Sequence, residues 1–406
     1  MRVFDRNSDH VHALDVGRGV AIIAVIYGHA LSPWFMATDG WFSQAAFIQW
    51  KFGASFLMPF FFFLSGVGWR ADASLNLTLR RALTLIALAW GASVAFDVVR
   101  VTLTYSGAIG VIGAPPQDAW HFVRNAARMA VFGDLYSLSA LWFLAALAFV
   151  RILAAVGARG GRWATAALIA GLIALSTAAA EFEWRNVQQI YPLGFAFVAF
   201  MAGHWSRNLC TWLEEARWAP WGVAVICCAM VALTFPLNQG CTWDLAARCG
   251  HTFLNGKFGV SMFQGAYGNL ALFTFTAVFG VWFAVALSIL IARFGALLAH
   301  RFAAWGKVSM DLLIVNAITY ELANPAISRY VAPHTGANSV LFFATLLALA
   351  VAVNLAGLAL LNRPIKTLRR FANWAAQTAL GAAQTALSAI AAIVPARADR
   401  VSQGHD

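Results

Sequence analysis

The sequence predicts an all-α, polytopic membrane protein of about ten transmembrane helices. Three observations carry that expectation. Hydrophobic residues make up 61% of the 406-residue chain and charged ones only 11%, whereas soluble domains hold roughly a quarter charged residues and about half apolar ones. Ten apolar runs, bounded by charges, come near the roughly 20 residues that a bilayer-spanning helix needs. Lys and Arg crowd into alternate connections, as they do in the cytoplasmic loops of membrane proteins. The 32 Phe and 17 Trp exclude disordered and fibrous classes. A formal charge of +11 would suggest nucleic acid in a soluble chain. Here it is loop charge, and no nucleic-acid partner is expected.

The runs fall near 19–37, 52–69, 82–99, 138–156, 163–180, 190–206, 219–236, 268–292, 308–326 and 338–361. With the N-terminus inside, 20 of the 28 Lys and Arg lie on inner segments and 8 on outer ones. Both termini are therefore expected in the cytoplasm. The first run starts only at Gly19, behind a leader holding Arg2, Asp5, Arg6, Asp9, Asp15 and Arg18. No cleavable signal peptide is expected from that pattern.

The chain divides into a transmembrane domain over 1–361 and a basic, Ala-rich tail over 362–406. AAQTAL occurs at 375–380 and again at 382–387, one heptad apart, so Leu380, Leu387 and Val394 share a helix face. An amphipathic helix on the inner membrane surface is favoured over an eleventh span.

Two outer connections, 100–137 and 237–267, are long enough to hold a binding element. Trp120 opens the first, followed by His121, Arg124 and Arg128 at i, i+3 and i+7, one face of a helix. Trp243 lies in the second, with Cys241 and Cys249, which can pair in an oxidising compartment or stay unpaired. Both tryptophans are placed to stack on sugar rings or to sit in the membrane's aromatic belt.

The first span carries the most informative pattern. From Arg18 to His29 is eleven residues, roughly 16 Å along a helix and about 20° apart in azimuth. Asp15 lies one turn before Arg18. One stripe thus holds a carboxylate and a guanidinium at the cytoplasmic edge and an imidazole near the bilayer midplane. Ionisable groups at that depth are costly and point to function. The alternative is a neutral His29 hydrogen-bonded between helices, with Arg18 an ordinary loop anchor. Gly17, Gly19 and Gly28 beside the pair allow a backbone or ligand to approach closely. The second span reads PFFFFLSG from Pro59 to Gly66, is expected to break at Pro59, and carries Ser65-Gly66 near its cytoplasmic end.

Arg18-Gly19 and His29 preceded by Leu14-Asp15, the PFFFFLSG segment, and the Arg80-Arg81 pair entering the third span together resemble acyltransferase family 3. Leu141-Trp142-Phe143-Leu144 and Gly306-Lys307-Val308-Ser309-Met310 are similar to that family too, so the likeness covers roughly residues 12–361. It implies an integral membrane enzyme that moves an acyl group, usually acetyl, from cytoplasmic acyl-CoA to an acceptor hydroxyl. Acceptors in such a family are surface polysaccharides, exported glycans or lipid-linked saccharides, and the expected location is the bacterial inner membrane. Arg18 and His29 would be the essential pair, with Ser65, Gly66, Arg80 and Arg81 on the donor side and Asp15, Trp142 and Asn316 in support. Two departures stand out: Asn316 occupies a position where a histidine is expected, and Thr84 one where the family often has a further arginine.

The residues fit that chemistry. Thioester acyl transfer needs a base for the acceptor hydroxyl, donors for the oxyanion and positive charge for the CoA phosphates. His29 supplies the first, and the guanidinium groups of Arg18, Arg80 and Arg81 suit phosphate. Direct transfer and a transient acyl-histidine both fit. Trp120, His121, Arg124 and Trp243 are the expected acceptor side. Acyl-CoA enters as co-substrate, and no tightly bound cofactor is expected. No HExxH, Cys-x2-Cys or G-x-S-x-G pattern occurs, so metal and serine-hydrolase chemistry are not expected. The alternative is a proton-coupled or small-solute transporter, which a midplane histidine and a proline-broken helix would suit. Against it, no internal repeat relates the two halves, and the span carboxylates are few: Asp97, Asp311 and Glu321.

Overall fold

The computed structural model describes residues 13–36, 43–109, 117–135, 137–238, 260–331 and 339–402. Among these the chain is helical, with no strand and one isolated bridge between Ser261 and Ala266. In chain order the helices are α1 (Ala13–Leu31), α2 (Gln44–Ala54), α3 (Leu57–Val67), α4 (Leu75–Tyr105) and α5 (Ala119–Phe132). The stretch Trp142–Glu181 is broken at Gly161 into α6 (142–160) and α7 (162–181). There follow α8 (Ile190–Trp205), α9 (Arg207–Glu215), α10 (Ala219–Thr234), α11 (Leu270–Phe294), α12 (Ala296–Lys307), α13 (Ser309–Val331) and α14 (Val340–Ser402).

Several starts follow local chemistry. Ser43, Ser74, Asp118 and Asn269 each accept a hydrogen bond from a backbone N–H in the first turn of α2, α4, α5 and α11, satisfying donors that have no partner within the helix. The expected break at Pro59 moves upstream. The chain interrupts at Ser55-Phe56, and Pro59 sits in the first turn of α3, where its missing N–H leaves no helical bond unmade.

Six helices are long and apolar enough on their own to cross a bilayer, and a seventh if Arg207–Glu215 and Ala219–Thr234, bent by 117°, count together. One of the six, Ser139–Glu181, doubles back. Gly161 has φ of 80°, and Thr165 Oγ1 stands 3.0 Å from where a Cβ on Gly157 would lie. Eight residues of straight helix would separate them by about 12 Å. Counting α6 and α7 apart, and adding the 16-residue α8 and the polar-marked α13, brings the spans to about ten.

What draws the bundle together is the absence of side chains at a few crossings. A Cβ on Gly19 would lie 1.9 Å from the Phe302 carbonyl oxygen, and one on Gly306 1.9 Å from that of Asp15. The backbones of α1 and α12 touch at both points. The same holds for α3 and α8, where Gly66 meets Phe200 O and Gly203 meets Phe63 O. Gly66, expected beside the donor, is thus a packing residue.

The tail also departs from expectation. No helix boundary falls at 361, because α14 runs on to Ser402. Arg369 pairs with Asp311 at 2.7 Å, Thr84 Oγ1 lies 3.3 Å from Asn373 Oδ1, and Leu368 packs on Gly91. Ala372 and Ala376 are buried. Residues 362–376 are therefore part of the bundle and not a separate surface helix.

These crossings give a test of stability. Gly19→Ala and Gly203→Ala should lower the thermal stability of detergent-purified protein by about 1–3 kcal/mol or more, the cost of overpacking. Gly171→Ala, with nothing within 4 Å of its added carbon, should be neutral or stabilising. Equal melting temperatures for all three variants would contradict the crossings.

Candidate active site

Because Arg18 and His29 share one face of α1, both point into the same interior space. It consists of two cavities. The first, of about 650 Å³, is lined by Asp15, Arg18, Ser65, Arg151 and Lys307 at its basic end. The second, of about 620 Å³, is lined by Tyr27, Ser32, Gln49, Trp50 and Tyr320 together with apolar side chains. Val25, His29, Met58, Ala140 and Trp142 line both. His29 therefore stands at the neck between a basic chamber and a mostly apolar one.

The ring is held from α13. Nδ1 of His29 lies 2.5 Å from Oδ1 of Asn316, and Tyr320, one turn further on, packs with its centroid 4.9 Å from the imidazole. With the amide oxygen as acceptor, Nδ1 carries the hydrogen and Nε2 keeps its lone pair. Asn316 is itself buried. Trp142 reaches the neck because a 3-10 turn, Ser139–Leu141, precedes α6 and sets Ser139 and Ala140 against the same space. Trp142 packs on Phe62 at 6.2 Å and Phe263 at 5.9 Å between centroids.

In the basic chamber Arg18 donates to Asp15 at 3.2 Å and remains one-third exposed. Arg151 faces Arg18 and Arg81, whose charges both act on it. At the far end Ser261–Gln264 covers the second cavity. That turn is pinned by the buried Tyr267, whose hydroxyl donates to Tyr191 O at 2.6 Å and whose carbonyl accepts from Asn238 at 3.0 Å.

A family model described as an acyltransferase domain, that of acyltransferase family 3, matches residues 11–358. The chain belongs to acyltransferase family 3. No curated protein and no solved structure matches it. The family 3 chain is thus a membrane acyltransferase, which favours acyl transfer over transport.

Set against the expected site, this family 3 structure brings together Asp15, Arg18, His29, Ser65, Trp142 and Asn316. Gly66, Arg80 and Arg81 do not line the basic chamber; Arg80 and Arg81 are exposed on α4. In their place stand Arg151, in the middle of α6, and Lys307, at the end of α12. The sequence signal for Arg151 is an arginine between Val150 and Ile152, apolar on both sides, inside the run 138–156.

The expected acceptor face is not at the cavity either. His121 is bound to Asp118, backbone and side chain both at 2.7 Å, and those bonds hold the Asp118 carboxyl below its ordinary pKa. Arg128 pairs with Asp134, which also holds Arg185. Trp120 and Arg124 are exposed on α5. Trp243, Cys241 and Cys249 lie outside the described residues. Among the described residues no group of His, Cys, Asp and Glu is disposed to hold a metal ion.

Ala140 tests the neck. Ala140→Phe should fill it and lower acyl transfer by at least about tenfold, the scale of misplacement at a reacting centre, whereas Ala140→Ser should keep activity. Assays on variants of equal melting temperature would check this; full activity in the phenylalanine variant would mean the cavities do not communicate there.

Proposed function

We propose that this membrane acyltransferase moves an acetyl group from cytoplasmic acetyl-CoA to a hydroxyl of a cell-surface or exported glycan, across the bacterial inner membrane. The observation that carries the proposal is the meeting of a basic cavity and a mostly apolar one at a single histidine. Arg18, Arg151 and Lys307 suit the phosphates of CoA, and the pantetheine arm then runs along the Arg18–His29 stripe to the neck. The acceptor enters from the Ser32 end, where Tyr27, Gln49 and Trp50 supply hydrogen bonds and a stacking surface. The charge distribution supports cytoplasmic termini and a cytoplasmic basic chamber.

The chemistry balances at one atom. Nε2 of His29 takes the proton from the acceptor hydroxyl as its oxygen attacks the thioester carbon. The tetrahedral oxyanion collapses, the C–S bond breaks, and the CoA thiolate receives the proton from the imidazolium. Asn316 holds the ring through Nδ1. In an acyl-histidine route Nε2 carries the acyl group, and the acceptor's proton passes to the CoA thiolate released in the first step.

The two ends of the stripe should fail differently. Arg18→Ala loses a charge-assisted phosphate contact of about 1.5–3 kcal/mol, so acetyl-CoA affinity should fall roughly ten- to more than a hundredfold. His29→Gln should leave donor affinity nearly unchanged and lower turnover by about 10² to 10⁴, the range for loss of a general base. Binding by calorimetry and transfer from labelled acetyl-CoA separate the two. An active His29→Gln enzyme would end the proposal for the base, and undiminished binding by Arg18→Ala would end it for the donor.

Topology has its own check. A cysteine placed at 75 should be labelled only from the cytoplasmic side and one at 120 only from the opposite side. The reverse pattern would put the basic chamber outside the cell and contradict a cytoplasmic donor.

A further inference from the structure

The segment of α14 beyond the family match carries exposed charges that the acyl transfer does not use, among them Lys366, which also lies within electrostatic reach of Asp311. Ile365, Ala372 and Ala376 are buried and define the face turned to the bundle. Arg363, Lys366 and Arg370 are exposed. At about 100° per residue these three fall within roughly 60° of one another, on the side of the helix away from Ile365 and Ala372. Arg369, by contrast, turns inward to Asp311. Phe371 and Trp374 flank the basic face, exposed, with ring centroids 5.8 Å apart.

The neighbours of this segment fix its level in the bundle. Leu368 packs on Gly91, Asn373 reaches Thr84 and Arg369 pairs with Asp311 in the first turn of α13, so residues 368–373 run antiparallel to 84–91 of α4, toward its Arg80-Arg81 end. From Arg363 to Arg370 the basic face therefore runs within the apolar belt toward its Arg80-Arg81 edge rather than out beyond it. Cationic stems at that level extend their charged heads toward the interface, and exposed aromatics beside them match the interfacial belt.

We propose that Arg363, Lys366 and Arg370, with Phe371 and Trp374 beside them, bind the headgroups of anionic phospholipids in the leaflet at the basic end of the bundle. The lipid phosphate is the partner of matching charge at this depth. The inference is independent of which acceptor the enzyme acylates.

The test uses the full chain in neutral detergent, titrated with phosphatidylglycerol or phosphatidylcholine in mixed micelles and read by thermal unfolding. Phosphatidylglycerol should raise the melting temperature where phosphatidylcholine does not, and 1 M salt should weaken the difference. Each basic residue near an anionic surface is worth about fivefold in affinity, so the triple variant R363Q/K366Q/R370Q should bind phosphatidylglycerol about a hundredfold more weakly. The charge-keeping variant R363K/K366R/R370K should retain binding. If the neutral triple variant does not fold, the three single variants should each show about a fivefold loss. An unchanged phosphatidylglycerol response in the neutral variants would overturn the proposal. So would a neutral variant whose acetyl-CoA affinity falls in parallel, because the face would then serve the donor.

Discussion

The structure depends on how closely α1 can approach α12. Inside a bilayer, lipid tails are as apolar as leucine, so helices associate through close packing and hydrogen bonds. Gly19 and Gly306 let the two backbones touch at Gly19 and at Asp15, one residue after and three residues before Arg18. That contact fixes the rotation of α1, and rotation decides what its stripe faces. Turned by a third of a revolution, Arg18 and His29 would meet lipid instead of a cavity. The Gly66–Phe200 and Gly203–Phe63 contacts do the same for α3, whose Met58, Leu64 and Ser65 form the opposite wall of the chamber. Two glycine crossings thus set the two walls, and the cavities are the space left between them.

How much was legible in the sequence follows from which residues share a helix. Apolar runs report spans directly, so the helix number and most boundaries were readable. Arg18 and His29 were readable as a pair because eleven residues on one helix is a local relation. Asn316 is 287 positions from its partner, and its place against His29 came only from family likeness. Arg151 was missed because its meaning depends on α6 facing α1. Arg80 and Arg81 pose the same difficulty: neither lines the chamber, although Arg81 acts electrostatically on Arg151, and whether a basic pair at a span entrance lines a cavity depends on a rotation no periodicity reports.

The α5 face is subject to a related constraint. His121, Arg124 and Arg128 do lie on one side of α5, as their spacing requires. Neighbours in sequence then divide them: Asp118, the N-cap of α5, takes His121, and Asp134, just past its end, takes Arg128. A shared helical face does not by itself leave its members available. The tail is the converse case. The heptad repeat concerns residues beyond 374, whereas continuity through Pro364 and the Arg369–Asp311 pair are features a residue pattern does not contain.

Holding the histidine with an amide has a physical rationale. A carboxylate behind Nδ1 would bring a second ionisable group into a region where each uncompensated charge is costly. Asn316 orients the ring without doing so, and it is itself supported. Thr319 Oγ1 lies 3.1 Å from Asn316 O and 3.2 Å from Asn354 Oδ1, while Asn354 donates to Ala350 O at 2.9 Å. The chain of neutral polar groups runs from α1 through α13 to α14 and ends on backbone, so each link is satisfied without charge. Of the two cavities only the basic chamber is lined by charged side chains: Arg18, Arg151 and Lys307 stand together there, with Asp15 paired to Arg18 among them. Three cations held against one anion leave an excess that only an anionic ligand can neutralise, which is why the chamber's electrostatics and the neck's neutrality belong to one arrangement.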